Sequence, residues 1–173
     1  MNLRFLILAA LVAASPAFAF DLKGVDVGHP VDPAQIKAAF NFHFGSDMES
    51  TQSRCVTSCG WGFAMIAGAT ADIGLTIEHQ AVQEIRATFQ PIFFDAISAA
   101  VTAKYGKPTQ TLHGKAQTVA GAQLSQIIET WRNAAGDELV LANFADGAHG
   151  ALTLTSKAEI EGKAARTKKA GEI

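Results

Sequence analysis

"ADIGLTIEHQAVQEIRATFQPIFFDAISAAVTAKYGKP", residues 71–108, changes its hydrophobic period once, and that change decides the fold class. Ile73, Leu75 and Ile77 alternate with small or polar residues. Ile85, Ala87 and Phe89 do the same after a polar link at His79-Gln80. A period of two sends alternate side chains to opposite faces, so each run reads as a half-buried strand. Two such runs joined by a short polar link read as an antiparallel hairpin. From Pro91 the period lengthens. Phe93, Ile97, Ala100, Val101 and Tyr105 fall at i, i+4, i+7, i+8 and i+12, one stripe of an amphipathic helix. Gly106 supplies a C-terminal cap and Pro108 blocks continuation.

Upstream, Phe20, Leu22, Val25 and Val27 suggest a short strand with an irregularity at Gly24. Asp32 then offers a side-chain acceptor at a helix N-cap, with Pro33 at the first helical position. Ile36, Ala39 and Phe40 follow at helical spacing, so a short helix is expected before Gly45. The stretch 41–53 is polar and rich in breakers, and reads as loop. In "CGWGFAMIAG", Trp61, Phe63 and Met65 alternate with small residues, the pattern of a half-buried strand. Downstream, 109–123 reads as loop with a weak strand near Thr111. Three further strands are expected in "SQIIETWRN", "DELVLANF" and "GALTLTSK", with turns at "AAGD" and "ADGAHG".

This order predicts an α+β fold: antiparallel sheet with two main helices packed on one face. Residues 20–160 read as a single domain. Its halves, 20–90 and 91–160, each place one helix before a meander, which admits a tandem without any residue-level repeat. The basic stretch 161–173 reads as a polar C-terminal tail.

The N-terminus carries an address. "MNLRFLILAALVAASPAFAF" has a basic Arg4, an apolar run from Phe5 to Ala14 and an Ala17-Phe18-Ala19 cleavage pattern. That is the layout of a secretory signal peptide over 1–19, with Phe20 as the mature N-terminus. An apolar run of about 10 residues is half of what a bilayer span needs. No cysteine stands at the cleavage point, so no lipid anchor or membrane span is expected. The product is expected in the periplasm or outside the cell. The chain carries a formal net charge of −2. Its only basic cluster lies near the end, so nucleic acid is not an expected partner.

Both cysteines fall in "RCVTSCGWGF". In an oxidising compartment Cys55 and Cys59 favour a disulfide staple. A bridge needs Cα atoms within about 7 Å, whereas an extended strand would hold them roughly 13 Å apart. The intervening Val56-Thr57-Ser58 would then have to turn tightly. So short a loop contributes only about 2 kcal/mol. A redox role fits less well, because the spacing is one residue longer than Cys-x-x-Cys and no helix start follows. A metal reading stays open as the alternative: thiolates of Cys55 and Cys59 with His43 would suit Cu(I). The same cysteine spacing resembles the copper-binding pattern of periplasmic copper chaperones.

Catalytic patterns are missing from the sequence. It has no Gly-x-Ser-x-Gly or His-Glu-x-x-His, and "GWGFAMIAGATADIG" lacks the lysine and helix start of a phosphate loop. Asp137-Glu138 and His149 sit in turn sequences, where polar residues serve solvation. No catalytic residue and no cofactor are assigned. Trp61 and Trp131 read as core or sheet-face aromatics.

The opening "FDLKGVDVGHPVDPAQIKAAF" and the helix end "AKYGKP" resemble segments of small exported bacterial proteins of unknown function. The helix-plus-meander element is similar to that of SmpA-like outer-membrane assembly lipoproteins. In tandem it is similar to the beta-lactamase inhibitor protein. Both resemblances imply binding of other proteins through sheet and loop surfaces, without catalysis. This chain differs in lacking a lipidation cysteine and in carrying His29-Pro30 after the second glycine. The resemblance is one of layout and transfers no functional residue. The function expected is a non-enzymatic periplasmic protein-binding or envelope accessory module, of inhibitor, immunity or assembly type. Its partner would be another envelope or secreted protein. The alternative is a periplasmic copper or thiol-redox protein using Cys55 and Cys59.

Overall fold

At residues 79–80 the hairpin turns as the polar link demands. His79 and Gln80 both take positive φ (52° and 59°), connecting β5 (Ala69–Glu78) to β6 (Ala81–Phe89) in antiparallel register. The computed structural model describes residues 19–45 and 60–171. The expected leader lies outside the described residues except for Ala19, and so do Cys55 and Cys59.

The chain begins with a small hairpin, β1 (Asp21–Leu22) and β2 (Val25–Asp26), around Lys23-Gly24. The irregularity expected at Gly24 is therefore a turn, with Gly24 at φ 83°. α1 (Pro33–Phe40) starts where Asp32 accepts from the N–H groups of Ala34 and Gln35 at 3.0 and 3.2 Å. It ends at Asn41, which is left-handed. β3 (His43–Phe44) and β4 (Gly60–Ile66) precede the β5–β6 hairpin. A 3₁₀ turn at Pro91–Phe93 leads into α2 (Phe94–Tyr105). Then come β7 (Gln110–Gln117), β8 (Gln123–Arg132), β9 (Glu138–Ala142), β10 (Gly150–Thr155) and α3 (Lys157–Ala170).

The eight strands from β3 to β10 form one antiparallel sheet in the order β3-β4-β5-β6-β10-β9-β8-β7. The fold is α+β. Each half is a helix followed by a meander, α1 with β3 to β6 and α2 with β7 to β10. The last strands of the two halves pair with each other, placing Leu152 opposite Ala87 and Leu154 opposite Ile85.

Register assigns every strand residue to one of two faces. The inner face carries Ile73, Leu75, Ile85, Ala87, Leu139, Leu141, Leu152 and Leu154, all buried. α1 covers it near β4 through Ile36 and Phe40. α2 covers it through Phe94, Ile97 and Val101. Two bonds fix α2 on β8: Ser98 Oγ donates to Glu129 Oε2 at 2.6 Å, and Trp131 Nε1–H to the Gly106 carbonyl at 2.8 Å. Trp131 is therefore a core aromatic with its polar atom satisfied.

Two elements depart from the sequence reading, and a third takes a direction that the sequence left open. β4 forms where expected, but Trp61, Phe63 and Met65 point outward, and Gly62 and Ala64 face the core. The stretch 109–123 holds the eight-residue strand β7, exposed along nearly its whole length. It has no apolar alternation because it is an edge strand, ordered by backbone pairing with β8. The polar segment from 157 is the helix α3, so the boundary drawn at 160 falls inside a helix. Ser156 Oγ accepts from Glu159 N–H at 3.2 Å and donates to Gln83 Oε1 at 2.5 Å. Gln83 is the bulge residue that the shift between Thr76 and Ile77 leaves unpaired in β6. The carboxylate of Glu159 is buried and accepts from Arg166 Nη2 at 3.0 Å. Lys163 pairs with Glu84, which shares the outer face with buried Thr76 and Thr155. α3 thus shields one end of the face opposite α1 and α2.

Candidate binding face

The outward turn of Trp61, Phe63 and Met65 has a steric cause. On the inner side of β4, a Cβ at Gly62 would stand 2.6 Å from the Phe42 ring and 2.8 Å from the Phe40 carbonyl oxygen. The end of α1 and the buried Phe42 already fill the space beneath β4. Only small residues fit on that side, so the large alternating residues are left to the solvent side. Trp61, Phe63 and Met65 are 61%, 43% and 56% exposed. These are high values for residues of this size on a single strand face.

Neighbouring strands complete the surface. His43 lies opposite Trp61 in register, and the two rings stack at 4.3 Å between centroids with 24° between planes. On the other side, Thr70 and Asp72 pair with Met65 and Phe63, and Thr70 Oγ1 donates to Met65 Sδ at 3.3 Å. Beside them, exposed Gly74 keeps the floor low, since a Cβ there would meet nothing nearer than 4.0 Å. Arg86 and Thr88 follow on β6, then Ala151 and Thr153 on β10. The result is an aromatic ridge near one edge of the sheet, beside a shallow floor of small and hydroxyl side chains. Asp72 and Arg86 supply one charge of each sign.

Of the residues singled out from sequence, His43 belongs to this face through its contact with Trp61. Cys55 and Cys59 lie outside the described residues. Among the described residues no group of three His, Cys, Asp or Glu side chains could hold a metal ion. Asp137 accepts from the Lys157 N–H at 3.0 Å and from Asn133 Nδ2 at 2.9 Å, while Glu138 pairs with Arg132 at 2.7 Å. Both carboxylates are tied into the fold. His149 sits in the β9–β10 connection, where its N–H and that of Ala148 donate to Asp146 Oδ1 at 2.7 and 2.9 Å. These bonds, with the His149 ring, pull the Asp146 pKa down to about 2.

A second polar cluster was hidden in the sequence because its members are far apart in the chain. Lys104 Nζ stands 2.5 Å from Asp21 Oδ1, and Tyr105 OH donates to the Asp21 carbonyl at 2.8 Å. The Asp21 N–H donates back to Tyr105 OH at 3.1 Å, and the Tyr105 ring meets Phe20 edge-on. This clasp holds the β1–β2 hairpin on the end of α2. Partial burial would raise the Asp21 pKa, but hydrogen bonds from Lys104 and Gly24 outweigh it and hold it low. Burial would lower that of Lys104, and its bonds to Asp21 and Tyr105 raise it instead. Burial, helped by the Asp21 charge, raises that of Tyr105.

Fold and face together define an α+β protein whose antiparallel sheet is covered by two helices on one side and largely open on the other. No family model, curated protein or solved structure matches the chain. Among the described residues no helix is long and apolar enough to cross a membrane.

Proposed function

We propose that this is a non-enzymatic, extracytoplasmic protein-binding module that docks an envelope or secreted protein on the open face of β4 and β5. One observation carries the reading: Trp61, Phe63 and Met65 stand side by side in solvent, with His43 stacked against Trp61. Contiguous exposed apolar surface on a folded domain marks an interaction site more often than chance exposure does. Aromatic residues and Met are enriched at the centres of protein interfaces, and Trp leads among residues whose truncation matters.

The test uses envelope extract and two variants. Trp61→Ala with Phe63→Ala should lose a partner retained by wild type, weakening binding by about 30-fold or more at a hot spot. Leu112→Ala, on β7 at the far edge of the sheet, should retain it. Retention of the same partner at equal affinity by the β4 variant would remove the face from the interaction.

A further inference from the structure

The edge of the sheet farthest from the aromatic ridge is open. Among the described residues only β8 pairs with β7, and the side chains from Gln110 to Lys115 are exposed on both faces. Two bonds show which backbone groups point off the sheet. Thr118 N–H donates to the Ala122 carbonyl at 2.9 Å, and Asn143 N–H to the Ile127 carbonyl at 3.2 Å. Bonding residues alternate along an antiparallel pair. The first bond therefore gives Leu112, Gly114 and Ala116 to β8, and the second turns Ile127 toward β9, in agreement. Thr111, His113 and Lys115 are left with their N–H and C=O groups directed outward. This free stretch is closed at both ends. Thr109 N–H is spent on the Thr130 carbonyl at 2.8 Å. At the other end the β9–β10 connection crosses Gln117, where a Cβ on Gly147 would stand 2.2 Å from the Gln117 carbonyl oxygen.

We infer that β7 is a self-pairing edge, which joins β7 of a second copy of this chain in antiparallel register about a two-fold axis through His113. The available bonds select that register. Centred on His113, Thr111 faces Lys115 of the second copy, His113 faces His113, and Lys115 faces Thr111. Each of these pairs exchanges two backbone hydrogen bonds. Centred on Leu112, Lys115 would need Thr109, whose N–H is already spent. Centred on Gly114, Thr111 would need Gln117, which Gly147 covers. The free groups are thus symmetric about one residue, a symmetry that a second copy matches and an unrelated strand has no use for. The side chains agree. Half-exposed Leu112 comes to lie opposite Gly114 of the second copy, and a Cβ at Gly114 would meet nothing nearer than Gln126 Oε1 at 3.7 Å. The stretch carries neither proline nor bulge, two of the devices that block edge pairing. Its one lysine, Lys115, meets a threonine and no like charge. A two-fold axis normal to the sheet keeps each face on its own side, so the surface of β4 and β5 stays free in both copies.

Sedimentation of the full protein should show a monomer–dimer equilibrium with Kd about 0.1 mM, the weak class to which so small an interface belongs. Amide exchange followed by NMR carries the signature of the register. Exchange at Thr111, His113 and Lys115 should slow about threefold or more between about 0.05 mM and about 1 mM protein. The amides of Leu112 and Gly114, already bonded to β8, should not change. His113→Pro removes an outward N–H and spares the bonds to β8, a place where an edge strand tolerates proline. It should keep the wild-type melting curve and weaken the dimer by about tenfold or more. Should that variant unfold, the alternation of exchange in the wild type decides alone. Trp61→Ala with Phe63→Ala should leave the dimer unchanged, which separates this edge from the proposed binding face. A protein that stays monomeric at about 1 mM overturns self-pairing and leaves the edge to a strand of another protein. A dimer kept in folded His113→Pro, or lost in the Trp61 and Phe63 variant, places the contact elsewhere and overturns it too. Slowing at Leu112 and Gly114 in place of Thr111, His113 and Lys115 overturns the register.

Discussion

Leu154 of β10 lies directly opposite Ile85 of β6 on the inner face, and both are fully buried at the seam between the two meanders. No covalent turn joins these two strands as neighbours, so the halves are held together by this register and the helices above it. Leu154→Ala should cost about 2–5 kcal/mol, the range for removing a leucine side chain from a packed core. Ile85→Ala should do likewise. Because the residues touch, the double variant should depart from additivity by about 0.5 kcal/mol or more. Urea unfolding of the four proteins measures this. Additive losses would mean that the pair does not act as one contact.

The two faces of the sheet can be told apart by two glycines. Gly62→Ala places its methyl group against the Phe42 ring and the Phe40 carbonyl, and should destabilise by about 1–3 kcal/mol. Gly74→Ala on the open face meets nothing nearer than 4.0 Å and should be neutral or slightly stabilising. Phe42→Leu should recover part of the Gly62→Ala loss by vacating the space. Equal thermal melts for the two alanine variants would reverse the assignment of β4's faces.

How far the fold is legible from sequence depends on where each element gets its order. β5, β6 and α2 are readable because their own apolar residues repeat at strand or helix period against the same core. The direction of β4 is not readable, since alternation tells which residues share a face and not which face is covered. That depends on Phe40 and Phe42, which approach Gly62 from α1 and the segment after it. β7 gives no signal because pairing with β8, not burial, orders an edge strand. The clasp of Asp21 with Lys104 and Tyr105 joins residues more than 80 positions apart, and no local pattern announces it. α3 did leave a trace: Ser156 followed three residues later by Glu159 is the start signal of a helix. The candidate face was legible only as three large residues in alternation.

That start signal makes its own test. Ser156→Ala removes the acceptor for the Glu159 N–H and the donor to Gln83, and should cost about 1–2 kcal/mol. Ser156→Asp keeps an acceptor at the cap but loses the hydroxyl donor facing Gln83 Oε1, so it should recover only part of the loss. Hydrogen exchange should rise first in the amides of α3, because Ser156 anchors that helix to β6. Unchanged protection of α3 in Ser156→Ala would mean that the charged contacts of Lys163 and Arg166 hold the helix alone.

Acid should weaken the protein through two carboxylates with lowered pKa values. Asp146 has its pKa near 2 in the folded chain against an ordinary 3.8. Asp21 is also lowered, by Lys104 and Gly24 acting against burial. A group with a depressed folded pKa binds its proton more readily when unfolded. Its contribution is therefore complete above the ordinary value and is lost as pH falls through the folded one. For Asp146 the window runs from about pH 4 down to about pH 2. Asp146→Asn should leave the stability of the variant less dependent on pH across that window, with the deficit relative to wild type greatest above it. Lys104 runs the other way. Its raised pKa gives a contribution present below about pH 10.5 and lost only as alkali takes the proton from the folded form. Urea unfolding of wild type, Asp146→Asn and Lys104→Gln across both limits separates the two ends. An acid slope in Asp146→Asn as steep as in wild type would show that its bonds to the 148–149 amides contribute nothing to folding.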